Sequence, residues 1–189
     1  MRIGVGVGSL GAMVEPSLRL SPNFGVRVPL GTASLDRTEE VEGNNVKGTL
    51  RLGGVAVMGD YFPFGGGLRV SGGLLSSNFR LSGTSTGSYE LNDEEYVGSF
   101  SVYAETRNRV NPVVALGYDT GGADAGWSIS GDLGLVYSDG LSGNIDATVD
   151  GGAGVAFEDD LATARETLRN DLSDVKVLPY VKLSVAFRF

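Results

Sequence analysis

Apolar and polar side chains alternate along nearly the whole chain, and this two-residue period constrains the fold more than any other feature. Successive side chains of an extended strand point to opposite faces, so the pattern describes strands with two unlike faces. The clearest case is the last stretch, KVLPYVKLSVAFRF. Val177, Pro179, Val181, Leu183, Val185, Phe187 and Phe189 share one face; Lys176, Leu178, Tyr180, Lys182, Ser184, Ala186 and Arg188 share the other. This length suits a tilted transmembrane β-strand, which needs roughly 9–11 residues. It suits a soluble barrel as well, so the strand by itself leaves both open.

Seven further stretches alternate in the same way. They are Arg2 to Ser9, Ala12 to Leu20, Phe24 to Leu30, about Val46 to Phe62, Leu68 to Leu74, about Tyr96 to Tyr118, and a seventh from Trp127 to Ser138. Pro16 is unusual inside a strand, and Gly53-Gly54 predicts a bulge with a switch of faces. Between strands seven and eight the period changes. Leu161, Ala164, Leu168 and Leu172 recur at helical spacing behind Glu158, Asp159 and Asp160, which predicts a short amphipathic helix over Glu158 to Ser173, laid on the barrel rim. The expected fold is therefore all-β: one domain, 1–189, forming an eight-stranded antiparallel up-and-down barrel with a short helix in its last long loop.

Connection lengths and charge give the barrel a direction. The second, fourth and sixth links are short turns and the third, fifth and seventh are long, as in outer-membrane barrels with extracellular loops, although the first link is short as well and breaks the rule. Those long links hold Asp36, Glu39, Glu40, Glu42, Glu90, Asp93, Glu94, Glu95, Asp146, Asp150, Glu158, Asp159, Asp160, Glu166, Asp171 and Asp174, which is 16 of the 23 acids. A solvated acidic rim is the simplest account; divalent cations bound there are a weaker expectation, because no EF-hand spacing occurs. Opposite the apolar face, strands carry Glu15, Arg19, Arg27, Arg51, Asp60, Arg69, Glu105, Arg107, Arg109, Asp132, Lys182 and Arg188. In a membrane barrel these would converge in a narrow lumen as a paired charge network. In a lipocalin-like soluble barrel, the alternative, they would be surface charges around an apolar ligand cavity.

The chain has no cysteine and no histidine, which removes disulfides, thiolate chemistry, the usual general base and the usual nitrogen ligand for metals. No apolar run approaches the length of a transmembrane helix. Met1-Arg2 followed by IGVGVGSLGAM is not a signal-peptide pattern, so the expectation is a cytoplasmic protein or a mature form with an added Met. Asp60 with Asp132, or Glu105 beside Arg107, could be drawn as a catalytic carboxylate pair, but salt-bridged lumen residues account for them better. No catalytic site, cofactor or metal is expected. The acidic balance and the absence of a glycine-rich strand-to-helix turn speak against nucleic acid and nucleotide partners.

The run DYFPFGGGLRVSGGL, Asp60 to Leu74, resembles a D-W-x-P-F-G-G-G-F-R-L-S-G-G motif of uncharacterised small Gram-negative outer-membrane proteins, OmpA/OmpX/OmpW-like in architecture. Gly126-Trp127, Asp132-Leu133-Gly134, Asp171-Leu172-Ser173-Asp174, Tyr180 and Phe187-Arg188-Phe189 extend the resemblance over roughly residues 46 to 189. Tyr61-Phe62 and Val185-Ala186-Phe187 depart from it. The resemblance implies a bacterial outer-membrane location, with the lipid bilayer, lipopolysaccharide and the barrel-assembly machinery as partners. It also makes Phe189 similar to the terminal aromatic that marks such chains for assembly. A structural or narrow porin-like channel role follows, and an OmpW-like path for small hydrophobic molecules is a third expectation that the charged faces weigh against.

Overall fold

In the computed structural model, residues 1–41, 44–91, 94–121, 126–149 and 155–189 are described. The strands are β1 Arg2–Gly8, β2 Gly11–Arg19, β3 Phe24–Arg27, β4 Leu30–Val41, β5 Asn44–Tyr61, β6 Leu68–Ser77, β7 Arg80–Leu91, β8 Glu94–Thr106, β9 Val110–Asp119, β10 Gly126–Tyr137, β11 Leu141–Val149 and β12 Val177–Arg188, with helix α1 Val155–Ser173 between the last two. The pairs β3/β4, β6/β7, β8/β9 and β10/β11 are successive halves of single barrel strands, which leaves eight. Every neighbouring pair is antiparallel. The barrel closes where β1 meets β12, with Val5 opposite Val185 and Phe189 donating its N–H to the Met1 carbonyl.

The eight strands and the helix stand as expected from the sequence, but the strands outrun their expected ends. The acidic segment Asp36 to Asn45 is mostly the hairpin of β4 and β5, the polar segment Gly83 to Glu95 is mostly β7 and β8, and the chain continues past Ser138 into β11. The helix begins at Val155, three residues early. Acids Glu42, Asp93, Asp124 and Asp150 lie outside the described residues.

These extensions divide the barrel into two storeys with opposite polarity. In the lower storey, next to the chain termini, apolar side chains point outward: Val5, Val14, Val26, Val57, Leu74, Leu116, Leu133 and Leu183 are all more than a third exposed. Their inner neighbours are small, polar or charged nearest the termini and give way to buried apolar side chains such as Met13, Met58 and Leu75 higher up. A cavity for an apolar ligand, which the lipocalin-like alternative requires, is not what this interior holds; the apolar face is the outer one. In the upper storey, β4, β5, β7, β8 and β11 continue as an open sheet beyond the β1–β2 turn. Here the row Leu35, Leu50, Leu81, Ala104 and Gly143 runs across the inner face, and the row Asp36, Thr49, Ser82, Tyr103 and Asn144 across the outer one.

No bulge produces this switch. The β4–β5 register runs unbroken through Gly31↔Gly54 and Thr32↔Gly53, which corrects the expected bulge at Gly53-Gly54. The backbone parity is continuous while the apolar residues pass from the outer face to the inner one, so the sequence pattern slips by one residue without an inserted residue. A one-residue shift does occur elsewhere. Arg80 faces Glu105 whereas Ser76 faces Val110, so the segment between β8 and β9 inserts one residue, and the buried Asn111 side chain braces it by donating to the Asn108 carbonyl at 2.9 Å.

Candidate functional site

The lumen of the lower storey is the most unusual environment in the molecule. Alternation on β2, β3, β5, β6, β10 and β12 turns Glu15, Arg27, Asp60, Arg69, Asp132 and Lys182 inward at nearly one height, because Glu15 is two residues from Met13 and Asp60 two from Met58 on the same inner face. All six are buried, Arg27 completely. Asp132 is the hub. It accepts from Arg27 Nη1 at 2.8 Å, from Arg69 Nη2 at 2.9 Å and Nε at 3.1 Å, and pairs with Lys182 Nζ at 2.9 Å. Lys182 also donates to both Glu15 oxygens at 2.6 Å, and Arg27 reaches Glu15 at 3.1 Å and Asp60 at 3.0 Å.

Two members extend the layer toward the termini. Arg2 pairs with Asp119, which also lies 3.6 Å from Arg69. Cations Arg2, Arg27, Arg69 and Lys182 thus face carboxylates Glu15, Asp60, Asp119 and Asp132, four against four, and the layer is neutral. A desolvated charge is tolerated when it is both paired and hydrogen-bonded, and the hydroxyl of Ser71 completes the set by accepting from Arg27 and donating to Asp60 at 2.6 Å.

The sequence-expected residues divide by height. Arg19 and Arg188 line a cavity of about 210 Å³ at the lumen mouth beside the termini, with Arg2, Asp60, Phe62 and Asp119. Arg19 is held there by the carbonyls of Pro22 at 2.6 Å and Gly65 at 2.8 Å, and stacks 3.8 Å from the Phe62 ring centroid. Arg51, Glu105, Arg107 and Arg109 do not join the network. Arg51 and Glu105 belong to the upper storey, where the polar face is the outer one; Arg107 and Arg109 are exposed in the segment between β8 and β9. The placement of these four in the lumen is therefore corrected. Arg2 and Asp119 escaped the sequence argument although their parity was available: Arg2 shares the face of Gly4 and Gly6, and Asp119 lies one residue past the expected end of its strand.

Above the charge layer the lumen turns apolar. Leu10, Met13, Ala56, Met58, Leu75, Val113, Ala115, Val136 and Tyr180 form one buried cluster, with Met58 and Tyr180 at 0% exposure. Over it, α1 lies on β11. Leu161 and Phe157 are buried, Arg165 Nε donates to the Ile145 carbonyl at 2.6 Å, and the Leu172 side chain fills the space a Cβ on Gly143 would need. Among the described residues no group of three or more acidic side chains is placed to hold a metal ion.

No protein-family model and no curated protein matches this chain. Its structure is similar to that of Acinetobacter baumannii CarO, with a TM-score of 0.68 at 17% identity over 100% of this chain and 97% of that one. Similarity to A. baumannii CarO2 is of the same order: TM-score 0.69, 17% identity, 100% and 99% coverage. A major outer membrane protein from Thermus thermophilus is matched with a TM-score of 0.44 and 14% identity, over 100% of this chain and 97% of that one. The chain shares the fold of the two CarO proteins, a closed antiparallel β-barrel.

Proposed function

We propose that the chain is an integral outer-membrane protein whose barrel is closed, and that it serves as a structural membrane element rather than as a diffusion channel. The observation that carries this is the stacking of two sealing layers in one lumen: a neutral eight-member ion network, and an apolar cluster directly above it. Eight strands enclose an interior that side chains can nearly fill, and Arg27, Arg69, Lys182, Met58 and Tyr180, all at 2% exposure or less, fill this one. The outward apolar belt supports membrane insertion. On β10 it runs from Trp127 to Tyr137, ten residue steps; at about 3.3 Å per step and a tilt near 45° this spans roughly 23 Å, close to the apolar band of such barrels. Phe189, edge-to-face with Phe187 at 5.1 Å and exposed at the end of the closing strand, is the feature that would present the chain to an assembly machinery. Planar-bilayer recording tests the closed state. Purified protein inserted from detergent should add no steady conductance; regular single-channel openings of the unaltered chain would overturn it. A protein that stays monomeric and folded in detergent-free buffer would overturn the membrane reading itself.

A further inference from the structure

We propose that Arg51, Arg80 and Arg107 form an outward-facing site for the phosphate groups of an outer-leaflet lipid headgroup. This rests on the membrane reading above. The registers put Arg51 of β5 directly opposite Arg80 of β7 and Arg80 opposite Glu105 on the outer wall of the upper storey, and the exposed Arg107 lies just past the end of β8, two residues beyond Glu105.

Two like charges directly opposite on neighbouring strands repel, and the surrounding residues compensate this pair only weakly. Glu105 reaches Arg80 at 3.8 Å with both side chains almost half exposed, and Arg80 leans over the Tyr103 ring at 4.9 Å. The patch carries three cations against two carboxylates, Glu105 and, diagonal to Arg51 on β4, Asp36, whose Oδ1 already accepts from Thr49. An anion that bridges Arg51 and Arg80 removes the repulsion, and guanidinium forks suit phosphate oxygens in paired hydrogen bonds.

Height selects a lipid as the source of that phosphate. The outward row Leu30, Val55, Ser76 and Val110 is the top of the apolar belt on these strands. Arg51 is four residues above Val55 on the continuous strand β5, which places it roughly 9 Å above the belt after tilt, where headgroups lie. The patch is thus continuous with the lipid-facing surface. At the opposite rim the outward residues are aromatic, Phe24, Tyr61, Tyr118, Trp127 and Phe189 among them, while Arg2, Arg19 and Arg188 line the lumen mouth. Outward rings occur at both rims, Tyr103 and Tyr137 at the upper one, whereas the outward arginines are at the upper rim, which fits a bilayer whose outer leaflet carries the anionic headgroups.

The test is binding of bisphosphorylated lipid A, and of the same lipid enzymatically dephosphorylated, to the detergent-folded protein by native mass spectrometry. Heat-modifiable gel mobility checks that each variant is folded. Bisphosphorylated lipid A should be retained and the dephosphorylated form should not. The R51Q/R80Q/R107Q variant should lose on the order of a hundredfold in affinity, at roughly fivefold per arginine, and Glu105→Gln, which deletes the opposing carboxylate, should gain about fivefold. Equal affinity of the triple variant and the unaltered chain, equal retention of both lipids, or displacement of lipid A by millimolar inorganic phosphate would each overturn the site. Folded, detergent-dependent protein with any of those results leaves the membrane reading standing and removes only this inference.

Discussion

Asp132 is where the sequence's charges become a structure. One carboxylate holds Arg27, Arg69 and Lys182 within 3.1 Å, so its removal leaves four cations facing three carboxylates in a sealed lumen, with Arg69 keeping only Asp119 at 3.6 Å. Breaking a buried pair by deleting one partner costs about 3–5 kcal/mol, and Asp132→Ala should lower the unfolding free energy by at least that much in urea titrations of the protein in lipid vesicles. Gly117 makes the geometry reachable: a Cβ there would collide with Asp132 Oδ1 and stand 2.9 Å from Arg69 Nε. Gly117→Ala should cost about 1–3 kcal/mol by forcing both side chains aside, and an Asp132→Ala background should shrink that cost because one clashing atom is gone. The double-mutant cycle on the same titrations measures the coupling. Much of this layer was legible as parity. Arg27, Arg69, Asp132 and Lys182 each oppose an apolar set in the sequence, and alternation alone turns them inward once the apolar set meets lipid. Which carboxylate would serve as hub was not legible, since that depends on strand stagger rather than on any residue's neighbours in the chain.

Strands in this molecule are longer than their apolar runs, and that difference explains what the sequence hid. β5 spans Asn44–Tyr61 as one continuous strand, yet its outward side is apolar at Val55 and Val57 and cationic at Lys47 and Arg51. Two-residue alternation persists through both halves with its phase reversed. A phase slip in sequence can arise from an inserted residue or from a change of solvent, and periodicity cannot separate them: Gly53-Gly54 is the second case, the Arg107 to Arg109 segment the first. The helix was easier, because a change of period from two to 3.6 has a single cause. Its attachment can be tested without disturbing the barrel. Leu161 is buried at 2% exposure at the helix contact, and Leu161→Ala should cost about 2–5 kcal/mol of docking. Trypsin added to vesicles should then cut at Arg165 and Arg169 much faster than in the unaltered chain, while the barrel's heat-modifiable mobility stays the same.

At the scale of the whole barrel, the two fillings of the lumen act in series, and a passage opens only when both are breached. The charge layer blocks ions because its eight side chains fill the cross-section and each charge in it is already paired. The apolar layer of Met13, Met58, Tyr180 and their neighbours excludes water by close packing, with the buried Tyr180 hydroxyl the one polar side-chain group in the cluster. Trimming one layer therefore enlarges a dead-end cavity. Arg69→Ser with Asp132→Ser, a neutral pair removed together, should leave the barrel closed behind Met58 and Tyr180; Met58→Ala with Tyr180→Ala should leave it closed behind the ion network. The four substitutions combined should produce steady ion conductance in planar bilayers, far above the sum of the two double variants. Conductance from either double variant alone would show that a single layer holds the seal. Because the deletions leave the lipid-facing belt intact, all three variants should still insert and keep their heat-modifiable mobility, which separates an opened lumen from a barrel that failed to form.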